Sequence, residues 1–165
     1  MQRGQGGNEM YALKELIAGY AQSGSITWIG VRPTRRAGMI SVGDVFIDES
    51  GLTGDHGRAG KRAVTLIQAE HLPVIGAMLG KDEILPAVLR RNLVVSGINL
   101  SALKGRQIAI GDSVLQITSI CAPCSRMEEV LGRGGYSAVR GHGGWCASVL
   151  GSGCVRLGDA VRPID

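Results

Sequence analysis

Aromatic residues are scarce in this 165-residue chain: Phe, Trp and Tyr together make up 4%, with a single Phe. That leaves little material for the stacked rings on which single-stranded nucleic acids are bound. Long apolar runs are also missing, and none approaches the roughly 20 residues that cross a bilayer as a helix. The polar, glycine-rich start from Met1 to Asn8 has no apolar stretch of the secretory kind, so a cytoplasmic location is expected. Nor is there a block of like charge. The formal net charge is +4, and the basic residues lie in short groups at Arg32-Pro33-Thr34-Arg35-Arg36, Lys61-Arg62 and Arg90-Arg91. This distribution favours a small anionic ligand and argues against a nucleic-acid groove or a membrane surface as partner.

Glycine, by contrast, is abundant: 26 residues, more than twice the usual share of about 7%. Such a content goes with tight turns, short strands and close backbone approaches. With 44% apolar and 19% charged residues, the composition is that of one globular domain.

Apolar residues at helical spacing (Met10, Leu13, Leu16, Ile17, Tyr20) after an Asn8 cap predict an amphipathic helix between Asn8 and Gln22. Residues 1–24 are read as a helical extension that packs on the domain or on a second subunit, so a homodimer stays open. Beyond it the period changes. Short strands are predicted at Ile26–Val31, Met39–Ser41, Asp44–Ile47, Ala63–Ile67, Leu93–Val95, Gln107–Ile110, Val114–Ile120, Trp145–Leu150 and Cys154–Leu157. Helices are predicted over Gln68–Leu79, Leu85–Arg91 and Ser125–Leu131. The fold class expected for residues 25–165 is mixed α/β and β-rich, a partly closed β-barrel of short strands with a few flanking helices.

Four groups of residues can carry chemistry. Cys121-Ala122-Pro123-Cys124 is a C-x-x-C motif where a strand gives way to a helix. It fits a redox pair, half of a zinc site, or a reactive thiol beside a structural one. At the start of a helix and close to Arg126, Cys124 is placed for thiolate chemistry. His142 and Cys146 follow at H-x-x-x-C spacing, so Cys121, Cys124, His142 and Cys146 could complete a structural zinc site in a noncatalytic β-domain. Lys61-Arg62, after a glycine loop containing Asp55 and His56, is read either as an anion site or as a solvated pair. Arg90-Arg91-Asn92 is read either as a bidentate anion and heterocycle reader or as a basic helix end. In the flexible loop Arg140-Gly141-His142-Gly143-Gly144, His142 is read as a proton donor or ligand, or as simply exposed.

In their order and spacing, these elements resemble the MOSC domain, found at the C-terminus of molybdenum cofactor sulfurases and as standalone bacterial proteins. The residues that carry the likeness are Gly51 to His56, Lys61 to Ile67, Arg90 to Leu93 with Gly97, Gly105 to Asp112, Cys121 to Arg126, and Val155 to Asp159. The resemblance implies a barrel-like fold that holds the molybdenum cofactor (molybdopterin) or carries sulfur for metal centres, in a family associated with pyridoxal phosphate enzymes. It implies that Cys124 is the reactive residue and the metal ligand, and that Cys121 is an optional second thiol. Arg90 and Asn92 match an Arg-x-Asn element that contacts the pterin and its phosphate, and Arg62 matches the basic residue after the glycine loop; Lys61, His56 and His142 join them as cofactor-binding candidates. The implied activity is that of a sulfurtransferase-like or molybdenum-dependent oxidoreductase component acting on metal centres or N-hydroxylated compounds, with a cysteine desulfurase or an electron-transfer protein as partner. The chain lacks the additional β-barrel domain, flavin and iron-sulfur modules of the fuller reductases, so it is not expected to be an autonomous reductase.

Overall fold

The computed structural model describes residues 11–164. In chain order the elements are α1 (Leu13–Ala18), β1 (Gly24–Val31), β2 (Ile40–Val42), β3 (Asp44–Asp48), β4 (Gly51–Leu52), β5 (Val64–Gln68), α2 (His71–Met78), α3 (Pro86–Leu89), β6 (Leu93–Ser96), a 3₁₀ turn at Leu100–Leu103, β7 (Gln107–Ile110), β8 (Ser113–Ile120), α4 (Ser125–Leu131), α5 (Gly135–Val139), β9 (Trp145–Gly151), β10 (Gly153–Arg156) and β11 (Ala160–Pro163).

Seven strands close into a barrel in the order β11-β7-β8-β9-β5-β6-β1, with β1 pairing back onto β11 and β2 attached outside the ring. Strands β10, β3 and β4 form a separate small sheet. The barrel is therefore fully closed, where the sequence predicted partial closure. Strand β11 escaped the sequence reading because it is four residues long and ends in Pro163. Closure there rests on two residue pairs, Gly24 with Val161 and Ser25 with Ala160.

Alternation of side chains explains how one sheet serves two cores. On β5, Val64 and Leu66 point into the barrel while Ile67 points outward; on β6, Leu93 and Val95 point in and Val94 points out. The outward residues meet Ile75 of α2, Leu89 of α3, Met127 and Leu131 of α4, and Ala138 and Val139 of α5. Because both faces are covered, these central strands read as continuous apolar runs. Strands β5 and β6 run parallel, so the chain must cross over between them, and α2 and α3 lie on that crossover. Pro73 sits in the first turn of α2, where its missing N–H costs nothing.

Helix α1 is shorter than predicted, and the Asn8 cap and Met10 lie outside the described residues. All six of its side chains are exposed, so no tertiary packing extends it. Arg106 Nη1 donates to the Ala18 carbonyl at 2.9 Å, tying the end of α1 to the barrel. No helix among the described residues is long and apolar enough to cross a membrane.

The two classes of apolar residue should respond differently to truncation. Leu66→Ala, inside the barrel, is expected to cost about 2–5 kcal/mol of unfolding free energy, whereas Leu13→Ala on α1 should stay within about 0.5 kcal/mol of the wild type. Urea denaturation followed by circular dichroism measures both.

Candidate functional site

A cleft of about 720 Å³ opens beside the end of the barrel where β1, the loop after β4, the start of β5, the 90–92 junction and the 121–127 segment converge. It is lined by seven cations, Arg32, Arg58, Lys61, Arg62, Arg90, Arg91 and Arg126, and by one carboxylate, Asp55. Of the eight residues singled out from the sequence, Cys121, Cys124, Lys61, Arg62, Arg90, Asn92 and His56 line this cleft. His142 does not. Its ring meets that of His71 edge-on at 5.1 Å, and its Nδ1 is buried without a partner.

The junction between α3 and β6 builds one wall. Arg90 caps α3 in the left-handed conformation (φ 61°, ψ 31°), the only residue other than glycine with positive φ among those described. Its Nη2 donates to the Arg35 carbonyl at 2.8 Å. Arg91 turns the other way and is buried: Nε donates to the Gly143 carbonyl at 2.7 Å, Nη1 to Leu89 at 2.8 Å and Nη2 to Cys121 at 3.3 Å. Asn92 is buried as well. Its Oδ1 accepts from the amide and the hydroxyl of Thr65, each at 3.1 Å, and its Nδ2 donates to the Gly30 carbonyl at 3.1 Å. Most of the carboxamide is thus committed to holding strands, leaving one N–H for a ligand.

Opposite stands the loop after β4. Asp55 Oδ1 accepts from the Arg32 amide at 2.7 Å, and the His56 amide donates to the Arg32 carbonyl at 2.6 Å. This clasp fixes Arg32, a cleft cation that in the sequence is only one member of a basic group. The Lys61 carbonyl accepts from the Thr118 hydroxyl at 2.6 Å, which anchors the Lys61-Arg62 corner on β8. Guanidinium groups crowd one another here. Burial and the neighbouring charges of Arg32 and Arg126 lower the pKa of Arg90. The Nε atoms of Arg32 and Arg126 are buried without hydrogen-bond partners. An anion would relieve both conditions at once.

The cysteines are arranged differently from the sequence expectation. Cys124 is the residue before α4, with extended backbone (φ −124°, ψ 173°) and a thiol that makes no capping bond. It is exposed and close enough to Arg90 to interact electrostatically. Cys121 is buried and interacts not with Cys124 but with Cys146, also buried. That interaction draws the Cys121 thiol down to about 6, with help from Arg91 and Arg62 and against burial. The same interaction, together with burial, pushes Cys146 above the usual thiol range. Interaction with Cys146 and Cys121 raises the pKa of Arg62.

The zinc alternative is overturned by this geometry. Among the described residues, no three His, Cys, Asp or Glu side chains converge to hold a metal ion. His142 is drawn away to His71, and Cys124 faces solvent. The glycine-rich loop is also packed where flexibility was expected. Gly143 is buried and its carbonyl accepts from Arg91, and at Gly144 (φ 88°) a β-carbon would collide with the Leu66 carbonyl. Its glycines serve close approach to β5.

The protein is a closed seven-stranded β-barrel with a cationic, thiol-bearing cleft beside one end. Residues 52–162, more than half of the chain, match the MOSC domain, and the chain belongs to that family. No curated protein matches the sequence. Among solved structures, YuaD from Bacillus subtilis superimposes with a TM-score of 0.75 at 19% identity, covering 87% of this chain and 96% of YuaD. YiiM from Escherichia coli gives 0.71 at 20% identity, covering 88% and 71%. YiiM from Geobacillus stearothermophilus gives 0.73 at 17%, covering 86% and 75%. At these identities the likeness is one of fold.

The thiol pair predicts a pH signature. Relative to the ordinary thiol value of 9.0, the lowered Cys121 contributes stability that is fully present above 9 and lost as pH falls towards 6. The raised Cys146 contributes stability that is lost as pH rises beyond 9. The difference in unfolding free energy between the wild type and Cys121→Ala should therefore grow between pH 6 and 9 and shrink above it. Denaturant titrations at several pH values check this.

Proposed function

We propose that the cleft binds an anionic, phosphate-bearing pterin cofactor of molybdenum, with Cys124 as the protein's ligand to the metal. The observation that carries this reading is the crowding of seven cations around one cleft with a single carboxylate and two unpartnered guanidinium Nε atoms. The residues present fit the group: fork-shaped donors match phosphate, and an exposed thiol at the same cleft suits a thiophilic metal. A volume of about 720 Å³ is within the range of small-molecule sites.

In this reading Arg32, Arg62, Arg90 and Arg126 hold the phosphate, with Lys61 and His56 at the margin and the free amide hydrogen of Asn92 available to the heterocycle. Bound there, the cofactor would supply the metal-centred redox or sulfur chemistry. The chain's own residues orient it, exclude competing anions and present the thiol. The protein then acts as a component in the sulfuration of metal centres or, with an electron-transfer partner, in the reduction of N-hydroxylated compounds.

A second reading, that Cys124 carries a persulfide, is favoured by the exposure of its thiol, which a cysteine desulfurase can reach. Both readings assign the reactive sulfur to Cys124. They differ in what it carries.

Purified from a host that makes molybdenum cofactor, the protein should contain molybdenum and pterin by elemental and fluorescence analysis, and Cys124→Ser should lose the metal. Arg90→Ala should weaken binding of the phosphate-bearing pterin by about tenfold or more, the worth of one charge-assisted hydrogen bond. A gain of one sulfur atom at Cys124 without molybdenum selects the persulfide reading. Wild-type protein with neither metal nor persulfide removes both.

A further inference from the structure

The cofactor reading uses Cys124 and leaves unexplained a second pair of thiols at the same cleft. Ile120 of β8 pairs with Trp145 of β9, and the Cys121 amide continues that ladder by donating to the Gly144 carbonyl at 2.8 Å. This places Cys121 and Cys146 diagonally across the end of the β8–β9 pair. Both ends are held. The Cys121 carbonyl accepts from Arg91, and the Cys146 carbonyl lies 3.1 Å from the Thr118 hydroxyl, whose one hydrogen it shares with the Lys61 carbonyl. The two side chains lie on the same face of the pair, close enough to interact, both are free thiols, and Arg62 interacts with both. Cys121 lines the cleft, so a molecule the size of water or peroxide reaches it.

We propose that Cys121 and Cys146 are a redox pair that peroxide closes to an intramolecular disulfide, independently of what Cys124 carries. The Cys121 thiolate attacks one oxygen of hydrogen peroxide. The O–O bond breaks, hydroxide leaves and is protonated to water, and Cys121 becomes a sulfenic acid. The Cys146 sulfur then attacks that of Cys121. The S–O bond breaks, and the hydroxyl departs as water with the Cys146 thiol proton. Two electrons leave the pair, and one peroxide becomes two waters. Arg62 favours the attacking thiolate. Closing the bond brings the two sulfurs to about 2.05 Å from diagonal positions on neighbouring strands. The C-x-x-C motif points instead to Cys121 with Cys124, but Cys124 is exposed, has extended backbone and lies beyond the end of the β8–β9 pair.

Peptide mapping under non-reducing conditions tests this in the full chain. Residues 107–126 and 141–156 are the two tryptic peptides concerned, so Cys121 shares one with Cys124 and Cys146 shares the other with Cys154. The Cys124→Ser, Cys154→Ala protein, which keeps only the proposed pair, should give a cross-link between these peptides after stoichiometric peroxide, reversed by reductant. The wild type should give the same cross-link, formed about tenfold or more faster than Cys154 is oxidised. In Cys146→Ser, dimedone should trap a sulfenic acid at Cys121. The proposal is overturned if the wild-type peptide 107–126 loses two hydrogens without a cross-link, which would mean a Cys121–Cys124 disulfide. It is equally overturned if Cys121 and Cys146 both remain alkylatable once peroxide has consumed Cys124. Should Cys146→Ser not fold, the wild-type and doubly substituted maps decide alone.

Discussion

One buried carboxamide, that of Asn92, sets the geometry on which the cleft depends. Strands β5 and β6 are parallel neighbours joined by a long crossover, and β6 also pairs antiparallel with β1. At the point where the crossover re-enters the barrel, Asn92 binds Thr65 on one side and Gly30 on the other through both backbone and side chain. Leaving such buried groups unmet costs roughly 1–3 kcal/mol each, so Asn92 adds to the ladders that pair these three strands a joint that ties all of them at one residue. Its neighbours are placed by the same requirement. Arg91 is directed inward to three carbonyls, and Arg90 is turned into the left-handed conformation that sends its guanidinium across the cleft.

This arrangement joins fold and chemistry in three consecutive residues. Arg90 is available to a ligand, Arg91 fixes the Cys121 carbonyl and the glycine loop, and Asn92 locks the strands. Arg90, Arg32 and Arg126 repel one another, and burial adds to the cost of the Arg90 charge. In the proposed reading, such a site is pre-organised for an anion before any ligand arrives.

Much of the barrel was legible in the sequence, since the periods of β5, β6, β7 and β8 and the glycines between them specify short strands. The closing strand β11 and helix α5 were not, because each is too short to display a period. The cleft was legible as separate motifs, and folding brings seven of the eight chosen residues to it. Three features depend on tertiary pairing that spacing does not encode. Cys121 turns to Cys146, 25 positions later, although Cys124 is nearer in sequence. His142 turns to His71. The glycines of the 140–144 loop, which look like flexibility in one dimension, are there because backbone meets backbone. Arg32 and Arg126 were visible as basic residues, but their unpartnered Nε atoms emerge only on folding.

The seam between β1 and β11 has a topological consequence. The first and last strands of the barrel are antiparallel neighbours, with Gly24 beside Val161, so the chain enters and leaves the ring at one edge. A short linker there would make the ring continuous, and a cut at the turn around Gly111, between β7 and β8, would open it elsewhere. The fold is thus suited to circular permutation, with the cut falling between the two groups of cleft residues, Arg32 to Asn92 and Cys121 to Met127.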